Sequence, residues 1–125
     1  MKTKVLVTVA ILEFLAVALF GGGVVNSGNA LVASAILSTV GKDLQVLEIT
    51  NTKASAQFIL VFDSTTLPAD GATPLYTITV AANANVFRDF ANPIHFNNGI
   101  VICNSSTAPT KTIGSADCVF DASLR

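Results

Sequence analysis

The stretch Leu47–Pro74, LEITNTKASAQFILVFDSTTLPADGATP, decides the fold. Leu47 and Ile49 fall on one side of an extended chain and Glu48 and Thr50 on the other, the period of a half-buried strand. Asn51–Ser55 is a polar turn. Gln57–Phe62 is nearly all apolar, the pattern of a central strand covered on both faces. Asp63–Thr73 carries Pro68 and Asp70-Gly71, strong turn punctuation, before another strand starts at Leu75. Nothing in this stretch has the residue types of an active site.

Working outward, the same rhythm continues in both directions. Leu31–Val40 precedes a turn at Gly41–Asp43, and Leu44–Thr50 leads into the deciding stretch. Leu75–Val80 and Val86–Phe90 alternate, and Asn92–Pro93 is expected to stop the latter. Gly99–Cys103 is a compact apolar strand, and Cys118–Leu124 closes the chain. Seven or eight short strands without a helix after Val40 predict an all-β antiparallel sandwich or jelly roll. Of the eight Phe, Phe58, Phe62, Phe87, Phe90, Phe96 and Phe120 are expected to fill the space between the sheets.

Composition narrows the function. With 125 residues the chain supports one domain, expected over residues 31–125, preceded by an apolar arm and Gly/Asn hinge over residues 1–30. A hydrophobic fraction of 51% excludes intrinsic disorder, and only 12% of residues are charged. Ser, Thr and Asn supply the surface polarity, which suits contacts with neighbouring subunits. A net charge of −1 and the lack of any Lys/Arg run give nucleic-acid binding no electrostatic support.

The arm is the least ordinary segment. Val5–Phe20 is apolar apart from Thr8 and Glu13 and follows Lys2 and Lys4. Three readings stay open. It resembles a secretory signal with a basic start and small residues at Gly21–Gly23 or Ala30. As a membrane anchor over residues 5–25 it is barely long enough, and Glu13 in mid-span costs about 3 kcal/mol on insertion scales. As an assembly arm it would bury Val5, Val7, Val9, Ile11, Phe14 and Phe20 against other protein.

Chemistry is sparse. His95 is the only His and Met1 the only Met, so neither a His-based metal site nor a copper site of the small-sandwich type can be assembled. A Cys103–His95 pair is conceivable, but a structural role is expected of His95. Asp63, Asp70, Asp117 and Asp121 fall outside any calcium-loop spacing and are read as turn formers. Cys103 and Cys118 flank the polar loop Asn104–Asp117, which looks like a hairpin connection. They are either a disulfide across two strands or buried free thiols. No enzyme activity and no cofactor are expected.

Ile49-Thr50-Asn51-Thr52, Ala54-Ser55-Ala56-Gln57, Phe62-Asp63 and Leu67-Pro68-Ala69-Asp70-Gly71 together form a pattern, with Gly99-Ile100-Val101 and Ser105-Ser106-Thr107-Ala108-Pro109-Thr110 further on. This pattern resembles small β-sandwich virion proteins of tailed bacteriophages, of the head decoration (cement) or tail accessory type, over about Leu44–Phe120. The resemblance implies a structural protein stabilising a capsid through contacts with the major capsid protein or other virion subunits. It further implies a homo-oligomer such as a trimer, located in the virion after assembly in the host cytoplasm. The competing expectation is a membrane-anchored or exported surface protein, adhesin-like or pilin-like, held at the cell surface.

Overall fold

The structure is a computed structural model, and it describes residues 24–26 and 30–125. The arm residues Val5, Val7, Val9, Ile11, Phe14 and Phe20 lie outside the described residues. Eight strands follow one another: β1 (Val24–Asn26), β2 (Ser34–Ser38), β3 (Lys42–Asn51), β4 (Gln57–Phe62), β5 (Tyr76–Val80), β6 (Asn85–Phe96), β7 (Ile100–Ser105) and β8 (Cys118–Leu124). They form two four-stranded sheets, sheet A in the order β1-β8-β3-β6 and sheet B in the order β2-β7-β4-β5. Among the described residues there is no helix.

All pairings are antiparallel, and their order has a simple logic. β1 pairs with β8, β2 with β7, β3 with β6 and β4 with β5, as in one long hairpin. The hairpin is rolled so that β8 also meets β3, and β7 also meets β4. This is the connectivity of an eight-stranded jelly roll. Val24–Asn26, inside the stretch expected to be arm and hinge, pairs with β8 and forms an edge strand of sheet A.

Alternation along the strands builds the core. Leu44, Leu47 and Ile49 of β3, Phe120, Ala122 and Leu124 of β8, and Phe96 of β6 face Ile59 and Val61 of β4, Ile78 and Val80 of β5, and Ile100 and Ile102 of β7. Phe96 and Phe120 are fully buried. At the β5–β6 side Tyr76 meets Phe90 edge to face, with ring centroids 5.4 Å apart. Phe58, Phe62 and Phe87 differ from the expectation of filling the space between the sheets. Phe58 and Phe62 alternate with Ile59 and Val61 and so pack on the outer side of sheet B. Phe87 pairs with Glu48 on the outer side of sheet A and remains 58% exposed.

Two further expectations change for physical reasons. Asn92–Pro93 does not end a strand, because β6 runs through it to Phe96. β6 is an edge strand, and its pairing with β3 shifts between Leu44 and Val46, so a residue without an N–H costs no ladder bond there. The Asn104–Asp117 loop is not a hairpin connection, since β7 belongs to sheet B and β8 to sheet A. The loop crosses from one layer to the other.

One buried amide locks an end of the roll. Asn51 is 1% exposed; its Nδ2 donates to the carbonyls of Ser55 (3.0 Å) and Ala81 (3.0 Å), and its Oδ1 accepts from the Lys53 N–H (3.0 Å). It thereby ties the β3–β4 turn to the β5–β6 connection, where Asn83 adopts the left-handed conformation with φ 52°. Asn51→Ala leaves these groups without partners and is expected to cost about 2–3 kcal/mol. Urea unfolding checks this: the midpoint should fall while the denaturant slope stays unchanged.

Candidate functional site

The two outer faces of the roll differ, and the difference starts in the sequence. β4 is apolar on both sides: Ile59 and Val61 enter the core, whereas Leu60 and Phe62 point outward with Cys103 of β7. Phe58 and Ala72 complete this second cluster. Outward apolar side chains on a central strand need a cover, and two loops supply it. The β4–β5 and β7–β8 loops exchange backbone bonds, Gly71 N–H to the Lys111 carbonyl at 2.8 Å and Lys111 N–H to the Ala72 carbonyl at 2.9 Å. Gly71, at φ +92°, makes the turn that permits this.

The clasp between the loops is an ion pair. Lys111 is only 4% exposed, and its Nζ lies 2.5 Å from Oδ1 of Asp70, which is 54% exposed. The same oxygen accepts from the Ile113 N–H at 3.1 Å. Lys111 first and Ile113 second hold the Asp70 carboxyl below its usual pKa of 3.8. Asp63 does a related task at the β6–β7 turn, accepting from the backbone N–H groups of Asn98 (2.8 Å), Asn97 (3.1 Å) and Gly99 (3.4 Å). The Asn98 bond leads the causes that lower its pKa. Asp117 caps the opposite end, receiving the Ser115 hydroxyl and lying 3.9 Å from the Lys53 ammonium. Asp121 departs from the expected turn role, since it sits within β8.

The residues singled out for chemistry do not converge. His95 lies exposed on β6, where its Nδ1 is 2.5 Å from Oδ1 of the cross-strand Asp43. That hydrogen bond raises the His95 pKa above 6.5. Cys103 sits under the loops on the outer side of sheet B, and Cys118 in the core between the sheets. Both are free, so the alternative left open by the sequence falls to buried thiols. Their positions on opposite sides of sheet B forbid a bond without backbone movement. Burial pushes each thiol up to about 11. Among the described residues no cluster of three or more His, Cys, Asp or Glu can hold a metal ion. A cavity of about 400 Å³ lies beneath the β4–β5 loop, lined by Phe62, Pro68, Leu75 and the already engaged Asp63.

Sheet A has no comparable cover among the described residues. Its outer face carries Val46, Glu48 and Thr50 of β3, Val119, Asp121 and Ser123 of β8, and Asn85, Phe87 and Asp89 of β6, matched by register. Asn85 donates to Thr50 Oγ1 (2.8 Å) and to Glu48 Oε1 (3.1 Å). Glu48 and Asp121 are directly opposite one another, an arrangement of like charges that destabilises a bare sheet. Asp121 Oδ1 is buried and has no hydrogen-bond partner. A depression of about 200 Å³ lined by Val46, Glu48, Asp121, Ala122 and Ser123 lies at this point. This apolar and acidic face, rather than any cluster of reactive groups, is the candidate functional surface. The alternation of Leu44–Thr50 signals this face in the sequence, whereas Phe87 carries no local signal that it faces outward. No family model matches the chain, and neither a curated protein nor a solved structure does.

The clasp, the titrating groups and the thiols yield four checks. Asp70→Asn strands a buried ammonium and should lower the melting temperature clearly, whereas Lys111→Met should hold or raise it. Because the Asp63 and Asp70 pKa values are depressed, their stabilisation is complete above 3.8 and is lost as pH falls through the folded values. Acid unfolding monitored by circular dichroism should therefore begin at higher pH in Asp63→Asn. The His95 contribution has the opposite sign. It is complete below 6.5 and lost as pH rises through the raised value, and Asp43→Asn should return the NMR titration of His95 towards 6.5. Both thiols should resist Ellman's reagent at pH 8 in the native protein and react on unfolding.

Proposed function

We propose that this chain is a non-enzymatic structural subunit of a phage particle, of the capsid decoration or cement type. The observation that carries the reading is the asymmetry of the jelly roll. One outer face is sealed by the protein's own loops, while the other presents Val46, Val119 and Phe87 among carboxylates. A lone subunit gains nothing from such a face, whereas a subunit that buries it against a neighbour gains about 25 cal/mol for each Å² of apolar surface removed from water.

Three further features support the same reading. The virion-protein pattern in Leu44–Phe120 is turn and strand chemistry, and its Pro-Ala-Asp-Gly loop supplies Asp70 and Gly71 to the clasp. The low charge of the chain, 12%, suits a surface covered by repeated contacts. The apolar residues 5–20 precede β1, at the edge of the very sheet that is left open. In this reading the major capsid protein or other virion subunits are the partners, and the protein resides in the virion.

Particles purified by density gradient test the proposal. The chain should be present in a fixed ratio to the major capsid protein, measured by quantitative mass spectrometry. Deleting residues 1–22 should leave particles that have lost the protein or break at lower temperature, with the deleted chain still folded. Recovery of the wild-type chain solely from detergent-extracted membranes would sink the proposal in favour of an anchored surface protein.

A further inference from the structure

The open face of sheet A does not suit itself. Glu48, Asp89 and Asp121 lie across its centre beside Val46, Phe87 and Val119. Packing this face on its own copy about a two-fold axis sets carboxylates against carboxylates. The buried, partnerless Oδ1 of Asp121 opposite Glu48 calls for a cation, and none of the ion pairs among the described residues involves Glu48, Asp89 or Asp121. The occupant that fits is therefore basic at one end and apolar along one side.

The chain contains one segment of that kind. Lys2 and Lys4 are the only cations before Lys42, and Val5, Val7, Val9 and Ile11 follow at strand spacing. The segment lies outside the described residues and ends at Gly21–Gly23, where β1 begins on the edge of sheet A. At about 3.3 Å per residue, Lys2–Ile11 is long enough to cross a four-stranded sheet, whose strands are about 4.8 Å apart. Charge and pattern thus match between the two ends of one sequence. We infer that residues 1–20 of one copy dock on the outer face of sheet A of a second copy, with Lys2 and Lys4 meeting Glu48, Asp89 and Asp121 and the valine row covering Val46, Phe87 and Val119. The inference deepens the proposed subunit function and rests on it for its setting.

Arm-to-face docking is heterologous: each copy offers one arm and one face. Such contacts close by reciprocal exchange between two copies or propagate head to tail into a larger ring. This predicts complementation between two full-length variants. In the first, Val5→Asp, Val7→Asp and Val9→Asp spoil the arm and leave the face. In the second, Phe87→Ser and Asp89→Lys, both at exposed positions, spoil the face and leave the arm. Sedimentation velocity of the wild type should show concentration-dependent association that weakens with added salt. Each variant alone should be monomeric, with association weakened at least about 100-fold. Mixed in equal amounts they should form a heterodimer that grows no further, since one usable arm meets one usable face.

Thermal melts of both variants establish that they fold, and Asp89→Lys alone serves as a milder face variant. The inference is overturned if the mixture stays monomeric while the wild type associates, because the contact then lies elsewhere. It is equally overturned if the wild type is monomeric at every concentration, as an arm folded on its own chain would give, or if only detergent disperses it. These outcomes are separable from the function itself. Protein found in particles with no complementation removes the arm-to-face contact and leaves the subunit role. Complementation without particle incorporation does the reverse.

Discussion

The constraint on which the rest of the structure depends is that β4 is apolar on both sides. Gln57–Phe62 lies in the middle of sheet B between β5 and β7, so neither of its faces can be left to water without cost. The inward face is satisfied by the second sheet. The outward face, Phe58, Leu60 and Phe62 with Cys103, requires a third layer, and no further strand or helix is present among the described residues to make it. Loops are poor covers because their backbone groups must also be satisfied. Here the two loops bond to each other through Gly71, Ala72 and Lys111, and the Asp70 carboxylate completes the join. The length of the Asp63–Leu75 connection, unusual for a simple hairpin, follows from that task.

Once sheet B is sealed, most of the remaining polar groups prove to be engaged as well. The turns at one end are held by Asp63, where Gly99 approaches so closely that a Cβ would lie 2.6 Å from the Ser64 carbonyl. At the other end Asn51 and Asp117 are consumed in hydrogen bonds. The cysteines are buried with raised pKa values, and His95 is engaged by Asp43 on an exposed edge with no nucleophile beside it. The polar side chains of this protein are spent on holding loops. What is left is a sheet face with apolar and acidic side chains in alternation.

Much of this was legible from local pattern. Alternation places Leu47 and Ile49 in the core, the double-sided run of β4 marks it as central, and the Asn51–Ser55 and Pro68–Gly71 turns fall where the chain reverses. What failed depends on long-range order. Pro93 could not be known to sit on an edge strand, at a shift in pairing, until the order β1-β8-β3-β6 was known. The Asn104–Asp117 loop has the composition of a hairpin, but only the rolled topology sends its two ends to different sheets. Phe87 alternates with Val86 and Arg88, so its neighbours in sequence do not tell which side is water. The direction is fixed by β3, where the shift between Leu44 and Val46 turns Glu48 and its partner Phe87 outward. The Asp70–Lys111 pair joins residues far apart in sequence, and no spacing rule announces it.

The same topology explains why the open face is on sheet A rather than sheet B. In a rolled hairpin the tip is the β4–β5 connection, and its long loop folds back over the sheet that holds β4 and β5, where it reaches β7 beside β4. Sheet A holds the β3–β6 pair and both ends of the described chain, β1 and β8. Its central strands β3 and β8 alternate, with one side in the core and the other Val46, Glu48 and Thr50 against Val119, Asp121 and Ser123. A face of that composition tolerates contact with water, and its carboxylates repel their like. It also retains enough apolar surface to reward a partner that brings positive charge. An acidic face with an apolar centre thus disfavours its own copy face to face and suits a basic, apolar segment. The same sequence holds a run of that composition, Lys2 and Lys4 followed by Val5, Val7, Val9 and Ile11.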